Sequence, residues 1–197
     1  GFLPKNSLSL IVTNNFKVSV LSISLLFPIF NFYLIFKIFS NQFKIQDHQE
    51  DLHLGIIIVI LTLLFYFFFM PTEGIADVFL AITSSISTSG ITTYSSSVPS
   101  VDISIFCILL TIIGGSLAST SSGVKYIRFY ILLKISYQEI YRLVKPINIF
   151  NRNLFRSEIK INDDDSKISF LVFTLFIIAI FVLSSILTLD NLDFENS

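Results

Sequence analysis

Small residues whose backbone could bind a dehydrated cation cluster in one short segment of the chain. The run is Ser87-Thr88-Ser89-Gly90-Ile91-Thr92-Thr93, and it follows a moderately apolar stretch, Ile75–Ile86. Glycine tolerates the backbone dihedrals that turn successive carbonyls toward one axis, and rings of carbonyls replace the hydration shell of alkali cations. The pattern predicts a pore helix followed by a filter loop. An ordinary serine-rich external loop is the alternative.

A second run of small residues, Gly114–Gly123, interrupts an apolar stretch. Its members suited to a flexible loop are Gly114, Gly115, Ser116, Ser119, Thr120 and Gly123. Adjacent glycines followed by small polar residues lower helix propensity over several turns. This predicts a broken helix whose middle forms a plug or hinge below the filter loop. Close packing between helices is the alternative role of such residues.

Charged residues flank these two runs. Lys125 and Arg128 follow the broken segment, and we expect both to snorkel toward the cytoplasmic headgroups, with Lys125 the deeper of the two at the inner mouth. Histidines and carboxylates fill residues 47–53. His48 and His53 are five positions apart and so do not share one helical face, which favours a solvated loop over a metal site.

Catalytic and nucleic-acid-binding patterns are missing from the sequence. It contains no nucleophile–base constellation and no phosphate-binding glycine-rich loop after a strand. We therefore predict that the protein is not an enzyme and has no nucleic-acid partner.

The elements that must position these residues are apolar helices. The chain of 197 residues is 53% hydrophobic and 14% charged, whereas soluble domains carry about 25% charged residues. Val18–Phe36, Leu54–Met70 and Ile168–Leu189 contain no charge, and each is long enough to span a bilayer. We predict an all-α polytopic membrane protein, with Pro28 kinking the first span.

The distribution of basic residues predicts the topology. Nine of the 13 Lys and Arg lie between Lys125 and Lys167, and none lies between residues 45 and 124. Because basic loops stay in the cytoplasm, we place residues 136–167 and 37–53 inside. Residues 1–17 and 71–100 then face outside, and the chain crosses four times.

These residues together resemble the TrkH/KtrB subunits of bacterial potassium uptake systems, over essentially the whole chain. Ser87–Thr93 is similar to that family's filter loop, Ser-Thr-Thr-Gly-Phe-Thr-Thr. Ile113–Arg128 resembles its Ile-Gly-Gly-Cys-Ala-Gly-Ser-Thr-Ala-Gly-Gly-Ile-Lys-Val-Ile-Arg. Glu139–Pro146 is similar to its Glu-Leu-Lys-Arg-Leu-Val-His-Pro, and Asn31-Phe32 matches its Asn-Phe.

The resemblance implies a pseudo-fourfold channel built from repeated helix–pore loop–helix units. Residues 1–53 would end the second unit, with Gly1 and Phe2 left from its filter, a helix at 18–36 and then a cytoplasmic loop. Residues 54–135 would be the whole third unit: helix 54–70, pore helix 75–86, filter 87–93 and broken helix 101–135. Residues 136–167 would be a cytoplasmic basic loop, and 168–197 the first helix of the fourth unit.

The resemblance also implies the ion, the partners and the location. Thr88, Ser89, Gly90 and Ile91 would bind the transported potassium ion, mostly through backbone carbonyls, and Gly114–Gly123 would gate the path. The family implies a homodimer in the lipid of the bacterial inner membrane, controlled by a cytoplasmic nucleotide-binding subunit of the TrkA/KtrA type. Ser119 and Ser121-Ser122 replace a Gly- and Ala-rich pattern, which predicts a stiffer or more polar gate.

Two other interpretations stay open. The broken helix could form the midplane site of another secondary cation transporter. Both ends also resemble cuts through a longer protein, and one filter loop cannot close a ring of carbonyls, so the chain could be a non-conducting membrane fragment.

Overall fold

The computed structural model describes residues 14–40, 48–68, 74–91, 101–144, 154–155 and 161–189. The regular secondary structure in these ranges is entirely helical, with no strand. The helices are α1 (Asn15–Ser24), α2 (Phe32–Phe39), α3 (Gln49–Phe68), α4 (Ile75–Ile86), α5 (Val101–Ile113), α6 (Tyr126–Val144) and α7 (Asp163–Leu189).

Two of these helices are long and apolar enough to cross a membrane. They are α3 and, within α7, the segment Asp163–Ile186, very little of which is buried by the rest of the chain. A spanning helix needs roughly 20 residues. The 12 residues of α4 are therefore too few to cross, although the helix is apolar.

The short helix α4 lies at the centre of its packing group. It contacts α1, α3 and α5, and Val78, Leu80 and Ile82 on it are almost fully buried. The hydrophobic core around it consists of Ile29, Leu54, Ile58, Phe65, Val78, Ile82, Ile86, Leu110 and Tyr126. This environment explains why α4 is apolar without being long.

The structure divides the predicted 18–36 helix into α1 and α2. The non-helical segment between them, which we name the first break (residues 25–31), contains Pro28. Proline lacks an N–H and its ring crowds the carbonyl four residues earlier. The expectation of a mere kink was wrong, because the chain turns and restarts at Asn31, whose side chain accepts a hydrogen bond from the Tyr33 N–H at 2.8 Å and caps α2.

Two helices begin earlier than the uncharged runs predicted. Helix α3 starts at Gln49 rather than residue 54, with Glu50 and Asp51 in its first turn. Helix α7 starts at Asp163 rather than residue 168, with three aspartates in its first turn. Carboxylates interact favourably with the positive end of the helix dipole, so acidic residues placed in loops by the sequence analysis belong to helices. Helix α6 likewise extends to Val144, into the predicted 136–167 loop.

The chain forms two compact units. One contains residues 1–127 and 155–157, and it holds α1 to α5. The other contains residues 128–154 and 158–197, with most of α6 and all of α7. The residues predicted to form the filter loop and the broken segment belong to the first unit.

Candidate functional site

Helix α4 ends in a left-handed cap at the predicted filter. The N–H of Ser89 donates to the Ser84 carbonyl and the N–H of Thr88 to the Ser85 carbonyl, both at 3.1 Å. This pair of bonds is a Schellman motif, whose left-handed position glycine usually occupies. Here that position is Thr88, with φ +58°. We name residues 87–91 the capping loop.

Three carbonyls of the capping loop face away from α4. The N–H groups of Thr88, Ser89 and Ile91 all donate to the last turns of α4, the last of them to the Ser84 Oγ at 2.7 Å. In a trans peptide the C=O points opposite to the N–H. The carbonyls of Ser87, Thr88 and Gly90 therefore point away from the helix, and none of the three accepts a hydrogen bond from the described residues.

The sequence analysis missed Ser84, which anchors this loop. Ser84 is almost fully buried. Its carbonyl accepts the Ser89 N–H and the Ser87 hydroxyl, and its hydroxyl lies 3.2 Å from that of Ser89. The signal was a serine two residues before the end of a short apolar helix, where a hydroxyl can reach the chain as it turns.

The predicted broken helix is interrupted between α5 and α6. We name residues 114–125 the second break. Its backbone is hydrogen-bonded to the first break: the N–H of Ser116 donates to the Ile29 carbonyl at 2.9 Å, and the N–H of Ser121 to the Pro28 carbonyl at 3.1 Å. The N–H of Phe32 donates in return to the Ala118 carbonyl at 3.1 Å. Each break thus satisfies polar backbone groups of the other.

Glycine is required where the second break folds on itself. Gly114 has φ +69°, and a Cβ there would collide with the Ser122 carbonyl. A Cβ on Gly115 would lie 2.5 Å from the Ile29 carbonyl oxygen. These approaches leave no space for a side chain, so the two breaks meet at backbone distance.

The Lys125 ammonium group forms hydrogen bonds inside the second break. Its Nζ donates to the Ser119 carbonyl at 3.0 Å and to the Ser121 carbonyl. The Ser119 hydroxyl lies 3.2 Å from the same nitrogen. The structure thus places the Lys125 charge against oxygens of its own loop, and its snorkelling toward the headgroups stays a prediction.

Each of the two carboxylates at the start of α3 accepts a backbone hydrogen bond from a segment interrupting a helix pair. Asp51 accepts the Asn31 N–H at 2.9 Å, and Glu50 accepts the Leu117 N–H at 2.9 Å. Asp51 and His48 are 4% exposed, and the His48 Nδ1 lies 3.5 Å from the Asp51 carboxylate. The expectation of a solvated loop was therefore wrong for residues 48–53. Glu50 and Asp51 are anchors of the two breaks.

One hydrogen bond joins the capping loop to the second break. The Ser122 N–H donates to the Thr88 Oγ1 at 3.1 Å. The predicted filter residues and the predicted gating residues are thereby brought into contact, although they are 34 positions apart in sequence.

The remaining predicted residues are distributed as follows. Ser116 is fully buried in the second break, whereas Thr120 is exposed. Arg128 lies on α6 and belongs to the second unit. Gly1, Phe2 and the filter residues 92–93 lie outside the described residues. Among the residues that the structure does describe, no cluster of His, Cys, Asp and Glu could hold a metal ion.

Neither comparison with known proteins assigns this chain to a family. No protein-family model matches it, and no curated protein matches it. A functional assignment therefore depends on the geometry above and on the resemblance of its motifs.

Proposed function

We propose that this chain is part of the pore-forming subunit of a bacterial potassium uptake system of the TrkH/KtrB type. The observation that carries the proposal is the capping loop: three carbonyls turned away from a helix that is too short to span a bilayer. In the proposal the capping loop is one segment of a selectivity filter, and Thr88, Ser89, Gly90 and Ile91 line the ion path.

The electrostatics of α4 favour a cation over an anion at this position. The C-terminal end of a helix carries about half a negative elementary charge, and α4 ends directly at Ser87. Carbonyl oxygens add further negative potential and can replace water around potassium. An anion would find no positive helix end there.

The membrane setting accounts for the non-helical backbone. Irregular backbone at membrane depth is tolerated only where protein buries it or where it lines a watery cavity. The two breaks meet the first condition through their mutual hydrogen bonds, and we propose that the carbonyl face of the capping loop meets the second. Large exposed apolar side chains on α7, such as Phe181 and Leu183, would face lipid or further helices.

The assembly follows from the same proposal. One capping loop supplies one segment of a fourfold ring, so equivalent loops must complete the filter. We propose a multi-pass protein of the bacterial inner membrane, a homodimer, and control of the second break by a cytoplasmic nucleotide-binding subunit. The chain has no catalytic role in this scheme.

A second candidate has a specific observation in its favour. Secondary transporters place their substrate site where discontinuous helices meet near the midplane, and here the α1–α2 and α5–α6 pairs meet at their breaks. In that case the second break, rather than the capping loop, would bind the transported cation.

Uptake of a potassium analogue tests the proposal and separates the two candidates. The complete native gene product, with Gly90→Asp, is expressed in a strain lacking its own potassium uptake, and rubidium-86 uptake is measured. Gly90 has φ +66°. We expect uptake to fall at least about tenfold, because a charged side chain at membrane depth costs roughly 2.5–3.5 kcal/mol.

The matched control is Gly55→Ala. A Cβ at this glycine of α3 would lie 3.7 Å from Phe30, an ordinary contact, so normal uptake is expected. Normal uptake in Gly90→Asp at equal membrane expression would remove the capping loop from the ion path. If Ser119→Ala then reduced uptake, the carrier interpretation would be favoured.

A further inference from the structure

A threonine occupies the backbone position in the capping loop that suits glycine best. Thr88 has φ +58°, and a β-branched residue is a genuine outlier in that region. Such a conformation has an energetic cost and persists only where its surroundings fix it. A glycine at position 88 would make the same two backbone bonds without this cost.

The Thr88 side chain offers a reason for the threonine. Its Oγ1 accepts the Ser122 N–H at 3.1 Å, across 34 positions of sequence. Ser122 directly precedes Gly123, which has φ +95°, and the Ser122 carbonyl, in the next peptide, is the group that a Cβ on Gly114 would meet. The hydroxyl therefore bonds to the part of the second break where the chain folds most tightly on itself.

The same residue also presents a carbonyl on the face proposed to bind the ion. The Thr88 carbonyl belongs to the peptide whose N–H donates to Ser84. A cation bound to this carbonyl would hold the backbone of Thr88, and with it the Cβ that carries Oγ1. Thr88 thus contributes both a carbonyl on the proposed ion-binding face and the hydroxyl that bonds to the second break.

We propose that the Thr88 hydroxyl couples the two segments: occupancy of the filter by potassium orders the second break, and release of the second break weakens potassium binding. Coupling between two sites is reciprocal by thermodynamic necessity. This inference rests on the proposed function and adds a mechanism by which ion occupancy changes the order of the second break.

Hydrogen exchange of backbone amides in residues 114–125 tests the link directly. The native protein is placed in lipid nanodiscs and compared with Thr88→Val, which keeps the branched shape without the hydroxyl. We expect the Ser122 amide to exchange about fivefold faster in the variant, because a hydrogen bond of this kind contributes about 1 kcal/mol. Thr88→Ser, which keeps the hydroxyl, should exchange at the wild-type rate.

Thr88→Gly provides a variant that folds readily. Glycine suits positive φ, so its capping loop should form at least as well as the native one while the second break loosens. An exchange rate within twofold of wild type in both Thr88→Val and Thr88→Gly would overturn the proposal. So would an equal acceleration in Thr88→Ser.

Measuring the same hydrogen exchange in sodium and in potassium distinguishes this inference from the proposed function. Replacing sodium by potassium should slow exchange of the Ser122 amide in the wild type and in Thr88→Ser, but not in Thr88→Val. If potassium has no effect while Gly90→Asp does block rubidium uptake, the ion path stands and the coupling is refuted. If potassium has no effect and Gly90→Asp takes up rubidium normally, the proposed function fails and the coupling fails with it.

Discussion

The capping loop and the second break are both non-helical, but they are held in opposite ways. The N–H groups of Thr88, Ser89 and Ile91 all end on α4, within seven positions of their own place in sequence. The second break instead bonds to Pro28, Ile29, Phe32, Glu50 and Thr88. A local cap therefore lies beside a segment that depends on distant elements.

This difference predicts which substitutions have effects outside their own segment. The capping loop needs only α4, so a change in it should remain local. The second break needs the first break and the start of α3, so a change at any of its contacts should loosen the whole segment. The Thr88 hydroxyl is the exception, since it belongs to the local segment and bonds to the dependent one.

The largest effect is expected from Gly114→Ala. The new Cβ would collide with the Ser122 carbonyl, and alanine would also be strained at φ +69°. We expect the free energy of unfolding to fall by about 4 kcal/mol or more, as measured by denaturant titration in detergent. Gly55→Ala is the control and should be neutral or stabilising by up to about 1 kcal/mol, because alanine is the better helix former. Equal losses in the two variants would contradict the close backbone packing.

A smaller effect is expected from Asp51→Ala. The Asn31 N–H would lose its acceptor in a site where Asp51 is only 4% exposed, and an unsatisfied buried donor costs about 1–3 kcal/mol. Amide exchange should quicken in residues 25–31 and 114–125 and stay unchanged in residues 87–91. Asp164→Ala, at an exposed carboxylate paired with Lys167, should change stability by no more than about 0.5 kcal/mol. Faster exchange confined to the capping loop would refute the assignment of Asp51 as an anchor.

The smallest effect is expected from Ser84→Ala. The Ile91 N–H would lose its hydroxyl acceptor, while the Ser84 carbonyl would still accept the Ser89 N–H. We expect a loss of about 1 kcal/mol and faster exchange in residues 87–91 alone. The neighbouring Ser85→Ala is a matched control, because that hydroxyl donates only within α4, to the Ala81 carbonyl. Loosening of the second break in Ser84→Ala would show that the cap is less independent than its contacts indicate.

The sequence could predict what local residue types decide. An apolar stretch ended by serines and Gly90 gives α4 the bounds Ile75–Ile86, and Gly114-Gly115 marks where α5 stops. The described chain is all-helical, with two helices able to span a membrane. Potassium binding, the fourfold arrangement and the regulatory partner stay predictions.

What the sequence could not predict depends on contacts between distant positions. Pro28 indicated a bend, but in the full break its carbonyl accepts the Ser121 N–H. The Ile29 carbonyl likewise accepts the Ser116 N–H. Glu50 and Asp51 looked like solvated charges, and their roles as acceptors require two other segments to be in place. Ser84 is almost fully buried on a helix that contacts three others, and such contacts are not visible in the sequence.

The bonds between the two breaks have a consequence for biosynthesis. Pro28 and Ile29 are completed by residues about 90 positions later, and translation at roughly 5–20 residues per second separates the two by roughly 5–20 seconds. Throughout that interval the carbonyls of Pro28 and Ile29 lack their final donors. During that interval the nascent chain can satisfy these two carbonyls only with water or with a temporary donor.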